Sequence, residues 1–124
     1  MRLSKIFRKT KKGICMGDCK VNILGTEYEI LYRKPDEYED LGIDVGGICD
    51  GGKKRIVLNS DTGVTDEALL KENLRHEVIH AYLYESGLGA NWAHPEMGHD
   101  ETFVDWVAIQ FPKIAKTYAE LGCL

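Results

Sequence analysis

Long apolar runs are missing. None in this 124-residue chain exceeds a few positions, far short of the ~20 residues that cross a bilayer, so no membrane-spanning helix is expected. Proline is scarce, at three residues, and no internal repeat or low-complexity tract occurs, which excludes collagen-like, coiled-coil and tail-like architectures. The basic start carries no apolar stretch of the roughly 7 to 15 residues that an export signal needs. A cytoplasmic location is therefore expected, that of the host cell if the gene is phage-borne. In that setting Cys15, Cys19, Cys49 and Cys123 read as reduced thiols. The Cys15-x3-Cys19 spacing is also not that of a structural zinc knuckle.

What is present fits one soluble domain, with 44% hydrophobic and 29% charged residues. Charge is unevenly placed. Residues 1–20 carry a balance of +6 and the remainder −10, which sum to the formal −4. The segment holding Arg2, Lys5, Arg8, Lys9, Lys11 and Lys12 reads as a solvated basic arm (1–20) ahead of a domain over 21–124. Such an arm can also touch nucleic acid or an acidic partner.

Past the arm, Val21 to Leu24 and Tyr28 to Arg33 read as a β-hairpin joined through Gly25-Thr26-Glu27. An acidic connector, Asp36 to Asp40, leads to a second pair, Val45 to Asp50 and Arg55 to Asn59. These are joined through Gly51-Gly52, where glycine's tolerance of positive φ suits a tight turn. From Thr65 to about Ser86 the period becomes helical: Asp66 and Glu67 open the segment, Leu70, Leu74, Val78 and Ala81 form its stripe, and Gly87 closes it. Residues 88–99 read as loop. A second helix is expected from Asp100 to Phe111, and Pro112 is expected to open a last one to Leu121. The sum is an α+β fold, a short antiparallel sheet packed on the long helix with further helices at the C-terminus.

The long helix contains His76-Glu77-Val78-Ile79-His80, an H-E-x-x-H pattern. Four residues turn a helix by about 400°, so the two imidazoles lie only ~40° apart and can grip one ion, while Glu77 lies ~60° from His80. Chance gives this pattern in about one chain in a hundred of this composition. Two histidines do not suffice for a catalytic zinc, which takes three protein ligands and keeps an open fourth position. A metzincin continuation, H-x-x-G-x-x-H, is absent after His80. The candidates for the third ligand are His94, His99, Glu101 and Asp105. Glu101 is preferred, because Asp105 follows it by four residues on the same helix face. One carboxylate can then hold metal while the other accepts the ring N–H of a ligating histidine.

This arrangement resembles the gluzincin family, in which H-E-x-x-H is followed some twenty residues later by E-x-x-x-D, here Glu101-Thr102-Phe103-Val104-Asp105. The wider stretch His76 to Gly87, with Val104-Asp105-Trp106 and Gln110 to Ile114, is similar to small metallopeptidase-like proteins of phages and mobile elements, related to the ImmA/IrrE and SprT-like groups. The resemblance covers roughly Val21 to Ile114 and implies a small zincin-like domain. It further implies zinc on His76, His80 and Glu101, Glu77 as catalytic base and Asp105 as the partner of His76. His99 stays open as an alternative third ligand, since SprT-like proteins use a histidine there.

The expected activity is zinc-dependent hydrolysis of a peptide bond. Zinc would lower the pKa of a water toward ~7, Glu77 would move the proton to the leaving amine, and a further donor (Tyr84, four residues after His80, or His94 or His99) would stabilise the oxyanion. For Tyr84, core packing is the preferred reading and the oxyanion role the alternative. The strand Arg55 to Asn59 is expected at the sheet edge, where an extended peptide substrate could pair with it. A rival reading is a zinc-stabilised binding or regulatory protein that cuts nothing and contacts nucleic acid through the basic arm. A protease acting on a DNA-bound repressor would reconcile the two.

Overall fold

A computed structural model describes residues 17–88 and 100–123. Among the described residues the fold is a four-stranded sheet with helices, and β1 (Cys19–Ile23), β2 (Thr26–Arg33), β4 (Arg55–Asn59) and β3 (Gly47–Asp50) follow one another across it. Strands β1 (Cys19–Ile23) and β2 (Thr26–Arg33) form the first hairpin, with β1 starting two residues earlier than expected. Its connection is the two residues Leu24 and Gly25, with φ of 51° and 94°. Paired positive φ values mark a turn whose twist matches that of the flanking strands. Asn22 Oδ1 accepts from the Gly25 amide at 2.9 Å and helps hold it. Along β2, Tyr28 and Ile30 are buried at alternate positions, as a strand with one core-facing side requires.

Strands β3 (Gly47–Asp50) and β4 (Arg55–Asn59) form the second antiparallel pair. The reason given above for Gly51-Gly52 does not hold, because the positive φ in this turn falls on Lys54, at 57°. Asp50 Oδ1 accepts from the amides of Gly52 and Lys53, both at 2.9 Å, and this shapes the turn instead. Gly51 is needed for space. A Cβ there would lie 2.8 Å from the Tyr84 ring.

The sheet is mixed, not purely antiparallel, since β2 and β4 run parallel. The physical cause is the crossover. After β2 the chain passes a single 3-10 turn at Pro35–Glu37 and residues 38–46, lays β3 at the far edge, then returns into the gap beside β2. β4 is thus interior, which corrects its expected edge position; the edges are β1 and β3. Ile56, Val57 and Leu58 are all buried. Neighbouring residues of a strand face opposite sides, so both faces of β4 are covered.

Asn59 ends β4 and caps α1 (Ser60–Thr65), a short helix not anticipated from the sequence. Its side chain accepts from the Asp61 amide at 3.0 Å and donates to the Ile43 and Val45 carbonyls, which satisfies a buried amide. α2 (Glu67–Ser86) starts on the Asp66 cap and stops at Gly87, φ 89°. Leu70 and Ala81 of α2 pack on Ile23, Tyr28, Ile30, Ile56 and Leu58 of the sheet to form the core. α3 (Glu101–Leu121) is capped by Asp100 and by Gly122, φ 72°, and buries Val104 and Ala108. The expected break at Pro112 does not occur; one helix runs through it. Pro112 has no amide hydrogen for the Ala108 carbonyl four residues back. Arg75 Nε of α2 donates to that carbonyl instead, at 2.7 Å.

Cys19 is disulfide-bonded, against the expectation of reduced thiols throughout, which rested only on the missing export signal. Cys49 and Cys123 are free, and Cys15 lies outside the described residues. Among the described residues, no helix is long and apolar enough to cross a membrane.

Candidate metal centre

α2 and α3 are antiparallel, as their contacts show: His80 meets Glu101, His76 meets Asp105 and Arg75 meets Ala108. The buried stripe of α2 fixes its rotation on the sheet and turns both histidines toward the start of α3. There the His76 and His80 Nε2 atoms lie 3.1 Å apart, and Glu101 Oε1 sits 3.3 Å from the first and 2.9 Å from the second. Four-coordinate zinc with nitrogen and oxygen ligands at ~2.0 to 2.1 Å spaces its donors about 3.3 Å apart. The three edges of this triangle fit that size, and His76, His80 and Glu101 form a group that could hold a metal ion. Among the described residues the donor set is two imidazoles and a carboxylate, ligand types that divalent transition metals accept.

Asp105, one turn beyond Glu101, places Oδ1 2.7 Å from His76 Nδ1. The Nδ1–H donates to this carboxylate, which leaves the Nε2 lone pair facing the cluster. Glu77 lines the same cleft and is only 6% exposed. Burial, opposed by His76 and reinforced by Glu101 and Asp105, pushes its carboxyl up to about 7. A group that ionises near neutral pH is suited to take and return a proton.

The cleft over these residues encloses about 290 Å³ and is lined by Gly47, Ile48 and Cys49 of β3 with His76, Glu77, His80, Tyr84 and Glu101. A larger groove of about 520 Å³ between α2 and α3 shares no residue with it. Its walls, which include Val78, Tyr82 and Phe111, are mostly apolar and carry no acid, histidine or thiol. The candidate ligands His76, His80 and Glu101 and the buried Glu77 line the smaller cleft.

Tyr84 is 46% exposed and stands at the cleft wall, not in the core. Burial raises its phenol above the ordinary value, with Cys49 and Asp50 adding to the effect. The phenol thus keeps its proton. The Cys49 thiol is likewise pushed up to about 12, by burial first and then by Glu77 and Asp50. His94 and His99 lie outside the described residues.

The β3 wall of the cleft was not expected from the sequence. A Cβ on Gly47 would approach Glu77 Cγ to 3.2 Å and the Val57 carbonyl oxygen to 3.1 Å, so the Gly46-Gly47 pair before a strand was the available signal. Nor was a role expected for Glu85, one turn after Ala81 on the core stripe. Glu85 accepts from Thr26 Oγ1 at 2.8 Å, Tyr28 OH at 2.7 Å and Lys54 Nζ at 2.7 Å. These bonds anchor the end of α2 to both hairpins. No protein-family model, curated protein or solved structure matches the chain.

Proposed function

We propose that the protein is a zinc-dependent peptidase of the gluzincin type. The observation that carries the reading is the convergence of His76, His80 and Glu101 on one point beside the buried Glu77, in a cleft open to solvent. A purely structural zinc has four protein ligands and needs no base next to it. Among the described residues, three candidate ligands and one buried carboxyl stand together.

In this reading His76, His80 and Glu101 hold the ion, and Asp105 fixes the His76 ring by accepting its Nδ1–H. Bound there, zinc would acidify a water and polarise the scissile carbonyl. Glu77, buried at the cleft beside the ligands, accepts the proton of the attacking water and delivers it to the departing amine. The protonated Tyr84 hydroxyl at the cleft wall is the donor for the developing oxyanion. The substrate would lie extended along β3. Asn59 N–H bonds to the Gly46 carbonyl. The alternation of an antiparallel ladder then turns the main-chain groups of Gly47 and Cys49 away from β4, toward an incoming strand.

Replacing Glu77 with Gln tests the assignment. The variant should keep zinc and lose hydrolysis of a peptide library by more than about a hundredfold. A Glu77→Gln protein as active as the parent would reject the peptidase reading.

A further inference from the structure

Pro112 and Arg75 form one device. A proline inside a helix removes the bond from its own position to the carbonyl four residues earlier. In α3 that carbonyl belongs to Ala108, which is 1% exposed, so water offers it little compensation. The donor that reaches it comes from the other helix: Arg75 Nε, at 2.7 Å. Arg75 immediately precedes His76, and Ala108 lies three residues after Asp105, so the bond sits next to the His76–Asp105 contact. A guanidinium makes a strong, directional hydrogen bond.

The helix pair needs such a fixed point. Glu101 and Asp105 are largely exposed, at 71% and 60% of their side chains, and both meet the histidines across the helix interface. Their positions relative to the histidines are set by how α3 lies on α2. Val104 and Ala108 supply apolar contact, but apolar contact is non-directional. The Arg75 bond is directional and enters at the one carbonyl the proline has released.

We infer that Arg75 is a positioning residue: by taking the carbonyl that Pro112 leaves open, it locks α3 to α2 in the register that brings Glu101 and Asp105 to His76 and His80. The consequence for metal rests on the function proposed above; the lock itself does not.

The test is a double-mutant cycle of the parent, Arg75→Met, Pro112→Ala and the combined variant. Two quantities are read on each: zinc affinity by competition with a chromophoric chelator, and the melting temperature without metal. The Pro112→Ala change restores an amide hydrogen for the Ala108 carbonyl and should make Arg75 dispensable. Arg75→Met should therefore weaken zinc binding about tenfold with Pro112 present and less than about threefold in the Pro112→Ala background, a loss of the size that mispositioned ligands cause. The melting temperature should follow the same non-additive pattern. Equal losses in both backgrounds, or an unchanged zinc affinity in Arg75→Met, would overturn the inference. Should Arg75→Met fail to fold, folding recovered in the combined variant supports the lock, and no recovery overturns it. Should the parent bind no zinc, the metal reading fails by itself, and the metal-free melting cycle still decides the lock.

Discussion

Removing the Asp105 carboxylate separates a built metal site from a chance meeting of polar side chains. Asp105 Oδ1 lies 2.7 Å from His76 Nδ1, and its side chain is 60% exposed. A surface ion pair of that exposure contributes about 0 to 1 kcal/mol. An acceptor that fixes the tautomer of a metal-binding histidine is worth about 10- to 100-fold in metal affinity. Exposure places Asp105 at the lower end, so Asp105→Ala should weaken zinc binding about tenfold, or about 1.4 kcal/mol. Asp105→Asn keeps an oxygen acceptor for Nδ1–H and should lose less. Competition titration against a chelator of known affinity measures both variants, and circular dichroism verifies that α3 persists. An Asp105→Ala affinity within about twofold of the parent would refute the assignment of this contact to metal binding.

Glu85 is held near a pKa of about 2 by bonds from Lys54, Tyr28 and Thr26, against an ordinary 4.5. A lowered folded-state value means stability that is present above 4.5 and lost as pH falls toward 2. Glu85→Gln should flatten that acid-side loss in denaturant titrations at about pH 6 and about pH 3, and an unchanged slope would contradict it. Gly51→Ala puts a Cβ 2.8 Å from the Tyr84 ring. The half-exposed ring can swing outward, so destabilisation of about 1 kcal/mol is expected, relieved by Tyr84→Ala, and a parental unfolding midpoint would dismiss the clash. Cys49→Pro on the edge strand should raise KM for a peptide and leave zinc in place; an unchanged KM would remove β3 as the substrate track. Proline at Ile56, in the interior strand, would disrupt the sheet itself.

The parts legible in the sequence are those written in local chemistry. The runs Val21 to Leu24 and Tyr28 to Arg33 around Gly25 announce the first hairpin, and Asp66, the apolar stripe and Gly87 announce α2. The His76/His80 and Glu101/Asp105 spacings each place their side chains on one face of a helix, and the packing of α3 on α2 makes those two faces meet. Long-range pairing left no local trace. Nothing within β2 or β4 says that they run parallel, and the buried Ile56-Val57-Leu58 run was the only hint that β4 is interior. Pro112 misled for the same reason: the donor that lets the helix continue is Arg75, 37 positions earlier in the chain. The positive φ at Lys54 was likewise hidden, since Gly51 and Gly52 drew the turn assignment while Gly51 answers to the Tyr84 ring.

Zinc content per chain, measured on purified protein alongside Glu101→Ala, bears most directly on the centre formed by His76, His80 and Glu101. The account predicts about one zinc in the parent and its loss in the variant. A parent without zinc, or a Glu101→Ala protein that retains it in full, would contradict it.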